Sequence, residues 1–311
     1  MTAQAYAQAD PATVLTRPIV AIINGAAGGG RCAARASAAL RDLRRDQAID
    51  MVTTEGPGHA SELARAAFED GARRFIAVGG DGTSYEVING LFPRAHGANI
   101  ELGLLPLGTG NSFLRDFGVS GQDDALGRLA RWATRPVDLV EATHQSGSIH
   151  YMNLLSIGFT ADVGDLTNRR FKALGPAGYV AAVVSCLSRL DAPRDPIAID
   201  DLAVDERKAV FMSFSNSQYT GGAMQMAPDA DVSDGKLDVI RVGELGRADL
   251  LRTFPKIYAG THVRHPQVET TRAQRVRFTE PRRQAVMVDG EVVELTLKQL
   301  DVRPHALRVV A

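Results

Sequence analysis

The chain has 311 residues, of which 45% are hydrophobic and 23% are charged, and its formal net charge is −1. This composition is that of a globular protein long enough for two domains. No apolar run reaches the roughly 18–20 residues of a membrane-spanning helix, and the near-neutral charge gives no reason to expect a nucleic-acid partner.

Residues 1–17 have neither a basic start nor an apolar core, so we expect a mobile N-terminal tail and no signal peptide. The two cysteines, Cys32 and Cys186, lie far apart and show neither a disulfide framework nor a metal-binding spacing. The expected location is therefore the reducing cytoplasm.

Residues 18–136 are predicted to form an α/β domain with a parallel sheet flanked by helices. Strand-like apolar runs alternate there with helix-like segments, which is typical of such a sheet. The predicted strands are PIVAII (18–23), IDMVTT (49–54), FIAV (75–78) and LGLLPL (102–107). The helix-like segments include RCAARASAALRDLRR, HASELARAAF, SYEVINGL and DDALGRLARWA.

Residues 137–311 are predicted to form an antiparallel β-sandwich, with a cleft between the two domains. Short runs in which apolar and polar residues alternate dominate this part. Whether its last strand stays in the sandwich or joins the sheet of the first domain is left open. Residues 171–190 are an exception, because their pattern predicts a helix that starts near Pro176. The predicted strands are AVFMSFS (209–215), KLDVIRV (236–242), RVRF (275–278), AVMVDGEVVELTL (285–297) and LRVV (307–310).

Three loops rich in small residues follow three of the first-domain strands, at 24–31, 79–83 and 106–111. Glycines let successive backbone N–H groups approach an anion. Thr83 and Glu86 have the spacing of a capping box, which predicts a helix start and an anion site at the second loop. One such loop could serve only to turn the chain, but three at corresponding strand ends favour a phosphate site. Their sequences are not of the Walker type.

A dinucleotide-binding oxidoreductase is an alternative for the first loop. Gly28, Gly30 and Ala33 match a relaxed dinucleotide fingerprint, with Asp50 at a suitable distance beyond it. Four residues separate Gly28 from the end of its strand, which weakens the match. This alternative also leaves the GGDGT and VDGE segments unexplained.

The ordered set of motifs resembles one family along nearly the whole chain: the lipid kinases that include diacylglycerol, sphingosine and ceramide kinases. The resemblance implies an N-terminal nucleotide-binding domain and a C-terminal β-sandwich with the active-site cleft between them, and ATP and Mg²⁺ as cofactors. GGDGT alone is shared with NAD kinases. The matching segments are Asn24 with Gly28, Thr54 with His59, GGDGTSYEVINGL (79–91), PLGTGNSF (106–113), GFTADV (158–163), LGPAGY (174–179), YTGGAMQMAPDADVSDGKLDVI (219–240) and VDGE (288–291).

The resemblance also implies the nucleotide-binding residues. It places Asp81 where Mg²⁺ and the transferring phosphate meet, and a cation there would neutralise the carboxylate. Glu86 is equally well explained as a helix cap, and Arg31 as a solvated arginine at a helix start. The residues implied are Asn24, Gly28, Arg31, Thr54, Gly79, Gly80, Gly82, Thr83, Glu86, Thr109, Gly110 and Asn111.

The segment VMVDGEVVEL has the pattern of a type I′ hairpin, in which Asp-Gly supplies the positive φ angles. The resemblance adds a chemical role, with Asp289 accepting the proton of the lipid hydroxyl and Glu291 assisting in orientation or lipid contact. The two interpretations are compatible, because a tight turn holds a base rigidly.

A second metal site is implied by the resemblance to some bacterial members. Asp231, Asp234 and the carbonyl of Lys236 match a structural magnesium site, and oxygen-only ligands near a turn suit Mg²⁺. Acidic turns without a metal are also common, so both interpretations are kept.

The acceptor is expected to be a neutral two-chain lipid. Ser112 stands where bacterial diacylglycerol kinases usually have Asp, and the LGPAGY stretch resembles ceramide kinases. Gly164 stands where sphingosine kinases place an acid that contacts the cationic head group. Ceramide and diacylglycerol both remain candidates for the acceptor lipid, with a slight preference for ceramide. A sphingoid-base kinase, an NAD kinase and an inactive lipid or nucleotide sensor are the alternatives.

A lipid acceptor implies peripheral contact with the inner face of the membrane. Residues 241–283 hold ten Lys or Arg against four Asp or Glu, and a basic face attracts anionic lipid. An ordinary solvated charge distribution explains the same count. The apolar residues of 174–187 are candidates for an acyl pocket, or for a helix packed in the core. Whether the protein forms a homodimer is left open.

Overall fold

The first domain contains the parallel sheet that the alternating pattern predicts. The computed structural model describes residues 18–27, 32–108, 111–166, 182, 185–186 and 190–311. Four parallel strands lie in the order β2-β1-β3-β4. β1, β3 and β4 are buried at most of their positions, whereas Ile49 is the one buried residue of the edge strand β2. These strands are β1 (Ile19–Ile23), β2 (Ile49–Thr53), β3 (Arg74–Gly79) and β4 (Glu101–Pro106).

Helices cover this sheet where the sequence predicts them, with one difference. The segment 31–45 is not a single helix, because a turn at residues 40–42 separates two helices. The turn lets both Leu40 and Leu43 enter the core. The helices are α1 (Cys32–Ala39), α2 (Leu43–Asp46), α3 (His59–Glu69), α4 (Asp81–Leu91) and α5 (Gln122–Arg131), with a 3-10 helix at Phe113–Phe117.

The second domain is a sandwich of antiparallel strands, as predicted. One layer has the order β13-β12-β9-β7-β15-β16, and the other contains β6, β5, β16, β14 and β8. The strands are β5 (Thr134–His144), β6 (Gly147–Tyr151), β7 (Leu154–Gly158), β8 (Ile197–Ile199), β9 (Phe211–Ser215), β10 (Tyr219–Thr220), β11 (Met224–Gln225), β12 (Leu237–Val242), β13 (Val268–Ala273), β14 (Arg275–Phe278), β15 (Arg283–Val288) and β16 (Glu291–Val310).

Helical segments of the second domain flank one face of the sandwich. Residues 171–190 lie outside the described part of the chain except for 182, 185, 186 and 190, so the helix predicted there is not assessed. Among the described residues, no helix has the length and hydrophobicity needed to span a bilayer. The segments are α6 (Phe159–Leu166) and α7 (Arg247–Thr253), followed by 3-10 helices at Phe254–Ala259 and Thr261–Arg264.

The strands β5 and β16 join the two domains. β16 pairs with β15 at its start, then with β14 and β5, and near its end it runs parallel to β4, with Arg308 opposite Glu101. Since the same strand is hydrogen-bonded in both sheets, it fixes the position of one domain against the other. Tyr85 of α4 also packs against the apolar core of the sandwich.

Candidate active site

The loops after β1 and β3 are in direct contact. The Asn24 side-chain amide donates a hydrogen bond to Thr83 Oγ1 at 3.1 Å, and Asn24 Oδ1 accepts one from the Ala26 N–H at 3.1 Å. The Gly25 N–H donates to Thr54 Oγ1, which follows β2. The carboxyl ends of adjacent parallel strands therefore bring Asn24, Thr54 and Thr83 together.

The loop after β4 packs against the loop after β3. The N–H groups of Leu107 and Gly108 both donate to the carbonyl of Gly79. A Cβ on Gly108 would lie 2.7 Å from the backbone nitrogen of Gly80, and one on Gly79 would lie 2.2 Å from Thr83 Oγ1. A side chain does not fit at Gly108 because the neighbouring backbone lies too close, and one at Gly79 would collide with the side chain of Thr83.

Not every predicted nucleotide-binding residue can be placed. Gly80, Asp81 and Asn111 line one small cavity between the second and third loops, and the Asn111 side chain donates to the carbonyl of Gly108. The structure thus brings Gly79, Gly80, Gly82, Thr83 and Asn111 close to Asp81. Asn24 and Thr54 are connected to this group through hydrogen bonds between the first and second loops and β2. Gly28, Arg31, Thr109 and Gly110 lie outside the described residues.

Asp81 is the first residue of α4, and its carboxylate is held from the neighbouring loop. The Ser112 N–H donates to both of its oxygens, at 3.1 and 2.9 Å. Burial raises the pKa of Asp81, and the hydrogen bonds from Ser112 act in the opposite direction. An acidic side chain at a helix N-terminus is also stabilised by the helix dipole.

The predicted capping box of Thr83 and Glu86 is wrong. The helix begins at Asp81, with Gly80 as its N-cap and no side-chain capping bond, so Thr83 lies within the first turn. Glu86 instead accepts hydrogen bonds from the N–H groups of Gly58 (2.9 Å) and Ala60 (3.2 Å). Its carboxylate therefore caps α3, the neighbouring helix, whose first N–H groups lack intrahelical partners.

Asp289 and Gly290 form the tight turn between β15 and β16, as the hairpin pattern predicts. Val288 pairs with Glu291, and the φ angles are +46° at Asp289 and +91° at Gly290. The Asp289 carboxylate is 3% exposed and accepts hydrogen bonds from the N–H groups of Met152, Asn153 and Leu154, at 3.0–3.2 Å. These donors fix the carboxylate and favour its ionised form.

The second-domain turn faces the acidic loop of the first domain. A Cβ on Gly82 would lie 2.7 Å from Glu291 Oε1, so the two loops touch. Burial raises the pKa of Asp289 to about 7, and the charge of Asp81 contributes to that rise. The pKa of Tyr85 is also raised, mainly by burial and to a smaller extent by the charges of Asp289 and Glu291. Asp81, Asp289 and Glu291, predicted to be catalytic, thus lie around one gap.

The predicted structural metal site is a turn whose acids already have partners. Asp231 accepts hydrogen bonds from the N–H and hydroxyl of Ser233. Asp234 accepts one from the Lys236 N–H and forms an ion pair with Arg272, with 2.9 Å between Asp234 Oδ2 and Arg272 NH2. The oxygen donors are present, but the guanidinium competes for Asp234, so the metal site stays a prediction.

Two residues that hold the domains together were not predicted from the sequence. Ser112 Oγ accepts a hydrogen bond from the Gly222 N–H at 2.8 Å. Asp116 accepts hydrogen bonds from Ser217 Oγ (2.6 Å) and the Gln218 N–H (2.9 Å), and burial raises its pKa to about 6. The only signal in the sequence was the proximity of both residues to the third glycine loop.

An apolar cavity lies beside the catalytic turn in the second domain. Met287, two residues before Asp289, is one of its lining residues, and Phe159 at the start of α6 is another. A Cβ on Gly164 would lie 3.0 Å from Val292 Cγ2 and 3.5 Å from Met287 Sδ. The surroundings of Gly164 are therefore apolar on the side that faces the hairpin.

Comparison with protein families gives two matches that together cover most of the chain. Residues 18–142 match the diacylglycerol kinase catalytic domain. Residues 153–311 match the YegS C-terminal NAD kinase beta sandwich-like domain.

Individual proteins are similar over most of their lengths. A diacylglycerol kinase of Mycobacterium tuberculosis is 30% identical over 296 residues, covering 94% of each chain. A diacylglycerol kinase of Bacillus subtilis is 27% identical over 253 residues, covering 79% of this chain and 81% of its own. A solved structure from Bacillus anthracis (strain Sterne) covers 94% of this chain and 96% of its own, with a TM-score of 0.74 and 22% identity, which supports the fold alone.

Proposed function

This chain belongs to the diacylglycerol kinase family of lipid kinases, and from that premise we propose that it transfers the γ-phosphoryl group of ATP to the primary hydroxyl of diacylglycerol. The observation that carries the proposal is the contact between the acidic turns of the two domains. Asp81 lies close enough to Asp289 for its charge to raise the pKa of Asp289. Phosphoryl transfer requires a phosphate site and a proton acceptor at one gap.

The nucleotide is proposed to bind on the first-domain side of this gap. The backbone N–H groups and hydroxyls of the three loops there suit phosphate oxygens, and Thr83 and Asn24 already contact each other at 3.1 Å. The negative charges of Asp81 and Asp289 repel each other, so a divalent cation fits this set of oxygen donors. Asp81 would hold Mg²⁺, which when bound neutralises charge on the phosphates.

Asp289 is proposed to be the proton acceptor. As the lipid hydroxyl oxygen bonds to the γ-phosphorus, its proton passes to the Asp289 carboxylate, and the bond from phosphorus to the β,γ-bridging oxygen breaks. The products are the phosphorylated lipid and ADP. A pKa of about 7 suits this role, because a base works best when its pKa lies near the working pH. The backbone N–H groups of Met152, Asn153 and Leu154 hold the carboxylate in place.

The apolar cavity that includes Met287 is proposed to receive an acyl chain. Its position next to Asp289 lets a lipid place its hydroxyl at the base and its chain in the cavity. Aliphatic and aromatic side chains from several strands and helices suit a hydrocarbon chain. The lining residues include Phe159, Phe211, Met224, Val242, Leu250, Phe254 and Ile257.

A neutral acceptor is favoured over a cationic sphingoid base. Glycine at position 164 supplies no carboxylate, and its near neighbours on the hairpin are Val292 and Met287. Diacylglycerol is preferred over ceramide because the relatives in Mycobacterium tuberculosis and Bacillus subtilis are named diacylglycerol kinases. The LGPAGY stretch that favours ceramide lies outside the described residues.

Access to a membrane lipid is proposed to occur through residues 247–264. Leu251 and Tyr258 are 48% and 56% exposed there, while Leu250 and Phe254 line the apolar cavity beneath them. The segment holds four cations, Arg247, Arg252, Lys256 and Arg264, against one acid, Asp249. Each cation near an anionic surface contributes roughly 1 kcal/mol of attraction.

The wider basic run at 241–283 does not form one free face. Five of its arginines form ion pairs with acids outside the run. These pairs are Arg241 with Asp205, Arg272 with Asp234, Arg275 with Asp301, Arg282 with Asp195 and Arg283 with Glu294. The proposed membrane contact at the inner face of the membrane therefore rests on residues 247–264.

One assay tests the proposed function. Purified protein with labelled ATP and Mg²⁺ is incubated with mixed micelles of diacylglycerol, ceramide or sphingosine, and with NAD as a soluble acceptor. We expect phosphorylation of diacylglycerol above all others. Labelling of NAD alone would overturn the lipid assignment, labelling of ceramide or sphingosine would change the acceptor, and labelling of none would favour an inactive sensor.

A further inference from the structure

Two histidines and a glutamate meet on the side of the molecule where α4 ends. Their ligand-capable atoms all lie within 4.8 Å of one another. His96 follows α4 in the first domain, Glu141 lies on β5, and His150 lies on β6. Glu141 and His150 are directly opposite in the antiparallel register, so their side chains share one face of the sheet. None of the three belongs to the proposed active site.

His150 is the unusual member of this cluster. It is completely buried, and neither of its ring nitrogens has a hydrogen-bond partner among the described residues. Its backbone is fixed, because its N–H donates to Asn89 Oδ1 and its carbonyl accepts from Asn89 Nδ2, both at 2.8 Å. Buried polar atoms are nearly always satisfied in folded proteins, so two buried ring nitrogens without a hydrogen-bond partner, beside a second imidazole and a carboxylate, form a set of donors suited to a bound ligand.

We propose that His96, Glu141 and His150 bind a divalent transition-metal ion, with Zn²⁺ as the best-suited ion. Two imidazole nitrogens and one carboxylate oxygen are ligands that Zn²⁺ prefers. Tetrahedral ligands of zinc lie roughly 3.3 Å apart, and any adjustment from the present separations, all within 4.8 Å, falls to the most mobile ligand. His96 is exposed and can make that movement. Three protein ligands leave one position for water.

Arg303 limits the affinity of this site for a metal ion. Its guanidinium contacts Glu141 Oε2, with the two nitrogen atoms at 2.6 and 2.8 Å. Both contacts use one oxygen, so the other, Oε1, remains available as a ligand, although the Ser148 hydroxyl also interacts with this carboxylate. An arginine behind a ligating carboxylate orients it, but its positive charge weakens the binding of a cation. We therefore expect an affinity below that of a four-ligand structural zinc site.

The bound ion would link the turn after α4 in the first domain to the β5-β6 hairpin of the second. His96 belongs to the turn that follows α4, the helix whose first residue is Asp81, while Glu141 and His150 belong to the β5-β6 hairpin. Aromatic packing already brings these segments together, since the ring centroids of His96 and His150 are 5.3 Å apart and those of Phe92 and His150 are 5.6 Å apart. The ion would add a link that resists their separation.

Calorimetric titration with ZnCl₂ tests the site. The full-length protein is stripped with a chelator, desalted and titrated in excess MgCl₂, which occupies sites made only of carboxylates. The variants are His96→Ala and His150→Phe, the second of which keeps a ring in the aromatic cluster. His144→Ala is the matched control, because His144 lies on β5 outside the cluster. Co²⁺ absorption in the visible range reports whether the ligand geometry is tetrahedral.

We expect the wild type and His144→Ala to bind one equivalent of Zn²⁺ and to unfold at a higher temperature with it. Each cluster variant should lose more than about 100-fold in affinity, because even residues that only support metal ligands account for 10–100-fold. If His150→Phe fails to fold, the exposed His96→Ala decides the outcome. Absence of Zn²⁺ binding in the wild type, or unchanged binding in either folded cluster variant, would overturn the proposal.

Discussion

Gly82 and Glu291 touch across the boundary between the two domains, and a Cβ on Gly82 would lie 2.7 Å from Glu291 Oε1. The two residues are neighbours of the two acids that the proposed reaction needs, since Asp81 precedes Gly82 and Asp289 lies two positions before Glu291. The contact therefore brings a nucleotide-side carboxylate and a lipid-side carboxylate to one gap. The proposed chemistry depends on the relative position of the domains, which β16 fixes by pairing in both sheets.

Replacing Asp289 with Asn should reduce kcat by about 10²–10⁴-fold, the usual contribution of a general base. An amide cannot accept the proton of the lipid hydroxyl, and Asn tolerates the positive φ of this position. ATP binding should be unchanged, because the residue lies on the lipid side of the gap. The measurements are micelle kinetics with diacylglycerol and equilibrium binding of ATP. Asp201→Asn, at an exposed position, is the control, and near-normal turnover of Asp289→Asn would exclude the residue as the base.

The pH dependence of kcat/KM should report the same carboxylate. The pKa of Asp289 is raised to about 7, so the proton-accepting form is scarce at low pH and becomes dominant as pH rises through 7. We expect kcat/KM to increase across this range and then to level off, because this parameter follows the free enzyme. An acidic limb near pH 4, the ordinary aspartate value of about 3.9, would contradict the assignment.

Ser112→Ala should lower the free energy of unfolding by about 1 kcal/mol, the usual net contribution of a hydrogen bond. The substitution removes the acceptor of the Gly222 N–H and so loosens a contact between the domains. It keeps the backbone N–H that holds Asp81 but also removes the hydrogen bond from the Ser112 side chain to the Asp81 carboxylate, so a rise in the KM for ATP should accompany the loss of stability. Urea denaturation measures the stability, with Ser120→Ala at an exposed position as the control. Equal stability of the two variants would show that the Gly222 contact is dispensable.

Glu86→Ala separates the two roles proposed for this side chain. Since Glu86 caps the start of α3, we expect a loss of about 1 kcal/mol in stability, typical of a helix cap, and an unchanged KM for ATP. The exposed Glu62 on the same helix provides the control variant Glu62→Ala. A large rise in KM at unchanged stability would instead identify a direct nucleotide contact.

Gly90→Ala and Gly127→Ala should change stability in opposite directions. A Cβ at Gly90 would lie 2.2 Å from the carbonyl oxygen of Ser61, so α3 and α4 would have to separate; overpacking of this kind costs about 1–3 kcal/mol. At Gly127 in α5 the nearest atom would be 3.8 Å away, and Ala should stabilise the helix by about 1 kcal/mol. Thermal and urea unfolding measure both, and a stabilising Gly90→Ala would show that the helices are less closely packed.

Local patterns were sufficient to predict most of the fold. The parallel strands, the sandwich strands β9, β12, β14, β15 and β16, and the turn at Asp289 and Gly290 were predicted, because apolar periodicity and turn chemistry are encoded within a few neighbouring residues. The other strands of the second domain, β5, β6, β7, β8, β10, β11 and β13, were not predicted. The three glycine loops were also correctly placed after strands, since parallel strands all end at the same edge of a sheet.

The errors and omissions concern contacts between distant segments. The Thr83 and Glu86 spacing predicts a capping box, but Glu86 reaches α3, whose position is set by helix packing. Ser112 and Asp116 were not recognised as links between the domains, because their partners Gly222 and Gln218 lie about a hundred positions further along the chain. The pairing of Glu141 with His150 was missed for a different reason, because the β5-β6 hairpin that sets their register was not predicted.

The sequence by itself determined the parallel strands of the first domain, the turn at Asp289 and Gly290 and which acids are available, because these properties depend on the chemistry of short segments. Only the tertiary structure decided that Asp81 and Asp289 share one gap, that the pKa of Asp289 is raised to about 7, and that His96 meets Glu141 and His150. Burial and proximity between remote segments arise when the whole chain packs, so they follow from the pairing of β16 in both sheets rather than from any single stretch of sequence.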